Sequence, residues 1–127
     1  MGAGLSKNRI KGLSASVDQN SAVLILGTLP GRMSLTYGKY YADPSNKFWD
    51  ILFIACGEKI DKTDQGKKQL LEKYHIALWD ILYSAVRKTS NDKDISDETP
   101  NNLPLFLSQY PNIKLLIFHS NDAYKYF

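Results

Sequence analysis

Apolar positions along the chain fall into short runs separated by polar, turn-rich stretches. "AVLILG" (22–27) is rich in branched residues and ends at Gly27. A short run without alternation predicts a strand buried on both faces, as parallel strands are. "NKFWDILFIAC" (46–56) is apolar almost all round, with Gly57 in the stop position. It predicts a buried helix with its N-cap at Ser45 or Asn46. "DQGKKQLLEKY" (64–74) has the pattern of an amphipathic surface helix, with Thr63 placed as a cap. "IALWD" (76–80) and "IKLLIF" (113–118) predict two further strands. "LPLFLSQY" (103–110) predicts a helix stopped by Pro111, and "NDAYKYF" (121–127) begins another. The intervening segments predict a loose arm over 1–21, a loop over 28–45, a short helix or irregular turn over 81–88, and a loop over 89–102.

Strands that alternate with helices predict an α/β fold, with helices covering a parallel sheet. Ligands of such sheets bind beyond the carboxyl ends of the strands. That rule puts Thr28–Asn46, Asp80–Asp92 and His119–Asn121 along one rim.

Composition narrows the class. The 127 residues suit one domain, and a hydrophobic share of 43% permits a packed core. A net charge of +3 is compatible with a polyanionic partner without demanding one. The single cysteine, Cys56, excludes a disulfide framework and points to a reducing compartment. No apolar run has membrane-helix length, and the first twenty residues lack a signal-peptide core. The expectation is a cytoplasmic or nuclear protein without a membrane anchor.

The rim offers several candidates, each with a plainer alternative. Gly27-Thr28-Leu29-Pro30-Gly31 is suited to hold an anion on backbone N–H groups, but equally to a simple tight turn. It is neither a P-loop nor a dinucleotide fingerprint. Tyr37, Tyr40 and Tyr41 are suited to stack on a planar ligand, or to cover the core with their hydroxyls in water. The Asn46 amide is suited to bind or polarise a ligand, although a helix cap is the better reading of local sequence. His119 stands on the rim, whereas His75 reads as a connector, and neither has partners at metal-ligand spacing. Lys39, Lys47, Arg87, Lys88 and Lys93 are available for phosphates, or are ordinary solvated charges. No nucleophile elbow or Ser-His-Asp order is present.

One long pattern decides among these readings. Gly27, Pro30, Gly31, Tyr41, Ala42, Pro44, Asn46, Phe48 and Trp49 resemble, in order and spacing, the first active-site region of the uracil-DNA glycosylase superfamily. Within it they are similar to the mismatch-specific and hypoxanthine-type branches. "IALWD", with Arg87, Ser90, Asp92 and Ile95 after it, and "YPNIKLLIF" (110–118) resemble the hypoxanthine-type branch. The resemblance implies a three-layer α/β/α domain over 22–127. It also implies extrusion of a deaminated base, hypoxanthine or uracil, from DNA and cleavage of its N-glycosidic bond, without metal or cofactor. Extrusion is a physical necessity, because a stacked base hides the reacting bond.

The resemblance also implies roles. Asn46 becomes the catalytic or base-orienting residue. Tyr41 becomes the stacking platform, and Thr28, Leu29, Gly31 and His119 become base-binding residues. Lys39, Lys47, Arg87 and Ser90 become DNA contacts. Leu29 stands where the mismatch-specific branch has a water-positioning asparagine, which moves the chemical burden to Asn46. Superfamily members continue into a fourth strand and a Pro/Ser-rich DNA loop, absent before Phe127, so a weak or inactive enzyme is expected. The competing expectations are a non-catalytic nucleic-acid-binding domain of the same fold, and a nucleotide-binding α/β protein.

Overall fold

The computed structural model describes residues 9–88 and 94–127. Its centre is a parallel sheet of β2 (Val23–Gly27), β3 (Ile76–Asp80) and β6 (Leu115–Phe118), in the order β3-β2-β6. Gly27 pairs with Asp80 and Leu26 with Phe118, so the three carboxyl ends finish side by side.

Alternation within β2 divides the core. Ile25 packs on one face against Phe48, Trp49 and Phe53 of α2 (Phe48–Ala55) and Leu70 and Leu71 of α3 (Asp64–Tyr74). Leu24 and Leu26 pack on the other face against Leu103 of α4 (Leu103–Gln109) and Ala123 of α5 (Asn121–Lys125). This is the expected three-layer α/β/α arrangement, with the central strand fully inside it.

The helix boundaries follow their caps. Thr63 accepts the Gly66 N–H at 3.0 Å and begins α3, and His75 ends it in a left-handed conformation (φ 57°). Asn102 accepts the Leu105 N–H at 3.1 Å and begins α4. No helix among the described residues is long and apolar enough to cross a membrane.

A second sheet departs from the sequence expectations. Residues 81–88 contain β4 (Leu82–Val86) rather than a helix or turn, and 89–102 contain β5 (Ser96–Pro100) rather than only loop. The arm expected over 1–21 holds β1 (Arg9–Lys11), so its described part is not loose. The order is β1-β4-β5, antiparallel throughout. Ser16 also bridges Leu78 of β3. β4 buries Leu82, Ser84 and Ala85 against the core, whereas β5 is exposed along its whole length. Strands this polar carry no apolar alternation. Their ladder bonds and the Arg9–Asp97 ion pair (2.7 Å) hold them.

Candidate functional site

The carboxyl ends of β2, β3 and β6 open into a cavity of about 590 Å³. Its walls are the Gly27–Gly31 turn, the first residues of α1 (Arg32–Tyr37), Tyr40, Tyr41, Asp43, Asn46, Asp80, His119 and Ser120.

The turn is held from several sides. Ile81 N–H donates to the Gly27 carbonyl at 2.8 Å. Thr28 is buried, and its hydroxyl lies 3.4 Å from that of Ser120. Arg87 donates to the Pro30 carbonyl from within the protein. Gly27 itself is required by close approach: a Cβ there would lie 2.6 Å from Asp80 Oδ1 and 3.1 Å from the Tyr41 hydroxyl. Segment 28–45, expected as loop, contains α1, which ends at Gly38 in a left-handed conformation (φ 66°). Ser34 of α1 is buried and accepts the Ala42 N–H at 3.1 Å, which ties the helix to the chain around Tyr41.

Tyr41 adopts φ 53°, a left-handed conformation that costs a residue with a Cβ about 1–2 kcal/mol. Such strain concentrates where a side chain must be aimed. The ring stacks on Phe48 with centroids 3.7 Å apart, and His119 meets it edge-on at 5.0 Å. One face of Tyr41 is thus occupied, and a planar ligand has only the other. The hydroxyl is buried, with no hydrogen-bond partner among the described residues. Burial, and then the Asp80 charge, push the phenols of Tyr40 and Tyr41 well above the ordinary tyrosine range. Both stay protonated, and Tyr40 donates to the Ser14 carbonyl at 2.9 Å.

Asn46 is exposed at the mouth of the cavity. The helix begins after Lys47, so neither Ser45 nor Asn46 is its N-cap. Asn46 Oδ1 nevertheless accepts the Phe48 N–H at 2.8 Å. Only an oxygen accepts there, so the amide orientation is fixed and its NH₂ is the other end. Ser45 binds Asp43 instead, through its N–H at 2.9 Å and its hydroxyl at 2.8 Å. Those two bonds hold the Asp43 carboxyl below its usual range, so it is ionised at neutral pH.

Thr28, Leu29, Gly31, Tyr41, Asn46 and His119 all line this one cavity. Leu29 does so through its backbone, because its side chain belongs to the core beside Leu24 and Leu26. Three of the expected DNA contacts stand elsewhere. Arg87 is only 3% exposed and cannot present its guanidinium to a surface phosphate. Lys39 is exposed and pairs with Asp64 at 2.9 Å, and Lys47 lies 3.9 Å from Asp50. Ser90 falls outside the described residues.

Asp80, Asp43 and Ser120, together with Arg32, Met33 and Ser34 of α1, are the cavity residues that carry no candidate role in the sequence. Asp80 left a signal: a carboxylate closing an apolar strand, in "IALWD". It is 4% exposed, and Asn101 Nδ2 holds its backbone carbonyl at 2.7 Å. No group of three or more His, Cys, Asp or Glu suited to a metal ion occurs among the described residues.

The uracil DNA glycosylase superfamily model matches residues 15–127. The chain belongs to that superfamily. Two hypoxanthine DNA glycosylases resemble it. The Methanosarcina barkeri protein is 32% identical over 91% of this chain and 74% of its own length. The Methanosarcina acetivorans protein is 33% identical over the same shares. A candidate uracil DNA glycosylase from Methanosarcina acetivorans, solved by solution NMR, superposes with a TM-score of 0.82 at 33% identity. That match covers 93% of this chain and 74% of the other. The superfamily's pattern in this sequence, Gly27 to Trp49, supplies much of the cavity wall described above.

Proposed function

We propose that the protein is a DNA glycosylase that extrudes a deaminated base, hypoxanthine or uracil, from DNA and hydrolyses its N-glycosidic bond. The observation that carries the reading is that the fixed Asn46 amide and the Tyr41 ring, stacked on Phe48, line one cavity. The cavity volume lies within the roughly 300–1,000 Å³ usual for small-ligand sites.

An extruded base would stack on the uncovered face of Tyr41, a contact worth ~1–3 kcal/mol per base. Adenine and cytosine carry an amino donor where hypoxanthine and uracil carry a carbonyl acceptor. The outward NH₂ of Asn46 donates, so it favours the carbonyl and opposes the amino group. The Asp80 carboxylate accepts, which suits the ring N–H beside that carbonyl. Together the pair would read deamination as an inverted hydrogen-bond pattern.

In the reaction, water adds to the anomeric carbon and the N-glycosidic bond breaks. Its electron pair leaves with the base, which takes up a proton. Asn46, His119 and the N–H groups of the turn would stabilise the negative charge that builds on the leaving base. The ionised Asp43 is a candidate acceptor for the attacking water. The products are the free base and an abasic site.

Release of base from oligonucleotides carrying a single hypoxanthine or uracil tests the reading. Release of one or both by wild type supports it, and Asn46→Ala is then expected to lose about 100-fold in rate or more while keeping its DNA affinity. DNA binding with no release from any deaminated substrate would favour a non-catalytic domain of the same fold. The reaction belongs to base excision repair.

A further inference from the structure

A second concavity lies beside the base cavity and shares Tyr40 with it. This groove, of about 290 Å³, has an apolar floor of Trp49, Leu71 and Leu78 and a rim of Lys39, Lys67 and Lys68. Tyr40 is fixed as the shared wall. Its hydroxyl donates to the Ser14 carbonyl at 2.9 Å, and its own carbonyl accepts Trp49 Nε1–H at 3.0 Å. Lys67 is half-buried, with its ammonium 5.1 Å from the centre of the Trp49 ring. Asp64 is the groove's only acidic lining residue among those described, and it is engaged by Lys39 at 2.9 Å.

We propose that this groove holds the DNA backbone flanking the extruded nucleotide, with Lys67 and Lys68 as phosphate contacts beside the base cavity. The inference rests on the glycosylase reading. A basic rim over an aromatic floor is the usual construction of a nucleic-acid groove. Position adds to composition. An extruded base stays tied to its strand, so the neighbouring phosphates must leave the cavity past one of its walls. Tyr40 is such a wall, and the lysines stand directly beyond it. Burial holds the Lys67 ammonium below the usual lysine range, and a phosphate would offset that cost. Lys39 contributes less, since Asp64 already neutralises it. Lys67 and Lys68 carry no signal in the sequence, because their helix has the pattern of an ordinary solvated face.

The test is the affinity of the intact protein for a duplex with one hypoxanthine, followed by fluorescence anisotropy across a salt series. Lys67→Gln/Lys68→Gln is expected to raise Kd about tenfold and to reduce the salt slope by between about 1 and 2. Lys59→Gln/Lys114→Gln removes the same charge away from the groove and is expected to change both far less. Equal responses from the two double variants overturn the groove assignment and leave the glycosylase reading standing. Wild type that binds no DNA at any salt overturns both. A thermal melt of each variant shows that the fold is retained.

Discussion

Arg87 donates to the carbonyl of Pro30, 57 positions away, from a site only 3% exposed. The residue that follows β4 thereby braces the turn that lines the cavity. Removal of the guanidinium strands a buried carbonyl, which costs ~1–3 kcal/mol. Arg87→Met is therefore expected to lower the melting temperature. Because the side chain is interior, Arg87→Met, measured well below its melt, is expected to leave the salt slope of DNA binding unchanged. A slope reduced by about 1 would return Arg87 to the DNA surface.

Gly27 is the tightest point of the cavity. Alanine there would place a Cβ 2.6 Å from the Asp80 carboxylate and 3.1 Å from the Tyr41 hydroxyl. Both groups must move, and misplacement by about 1 Å can cost roughly 100-fold in rate. Gly27→Ala is expected to fold, at a cost of about 1–3 kcal/mol, and to lose most base release. Single-turnover kinetics on folded variant checks this; an unchanged rate would mean that the floor of the cavity is not used.

A glycine far from the cavity gives the opposite signature. A Cβ on Gly66 would lie 2.3 Å from Asp61 Cγ and 2.5 Å from the Asp61 carbonyl. Asp61 in turn holds the Thr63 cap of α3 through bonds of 2.7 and 3.1 Å. Gly66→Ala is expected to cost about 1–2 kcal/mol, the usual value of a lost cap, with base release intact below the melt. Denaturant unfolding measures the first and the glycosylase assay the second.

The Glu58–Lys73–Tyr74 cluster sets a pH dependence. Bonds from Lys73 and then Tyr74 hold the Glu58 carboxyl below its ordinary range. A carboxyl lowered by folding contributes stability above its unfolded pKa. That contribution fades as pH falls through the lower, folded value. Lys73 is raised, chiefly by its bond to Glu58, so its contribution is complete below the ordinary lysine pKa and fades as pH rises beyond it. Glu58→Gln is expected to flatten the melting temperature against pH between about 5 and 3, where model carboxylates titrate. A profile identical to wild type would show that this cluster does not contribute.

The fold was legible wherever burial imposed a pattern. β2 and β3 are enclosed and read as apolar runs, and α3 announced itself through Thr63. β1 and β5 were not legible, because these edge strands have no buried residue and are held by ladder bonds to β4. α1 was hidden for a related reason: Ser34 is its one buried residue, so it lacks an apolar stripe. At the site, Tyr41, Asn46 and the turn could be named from their linear spacing. Arg87 could not be placed, because an arginine reads as surface until a buried carbonyl is found for it. Asp80 drew little notice because its importance depends on Gly27 beside it in the neighbouring strand.

The Thr28 and Ser120 hydroxyls, 3.4 Å apart, are separated by 92 positions. A cavity that joins such distant chain segments has no local precursor, and it closes only after the slow, long-range pairing of the sheet. Ligand capture should therefore appear late in refolding and vanish in denaturant together with the core. Binding competence would then report global integrity, and no isolated peptide carrying the Gly27–Trp49 pattern would possess it.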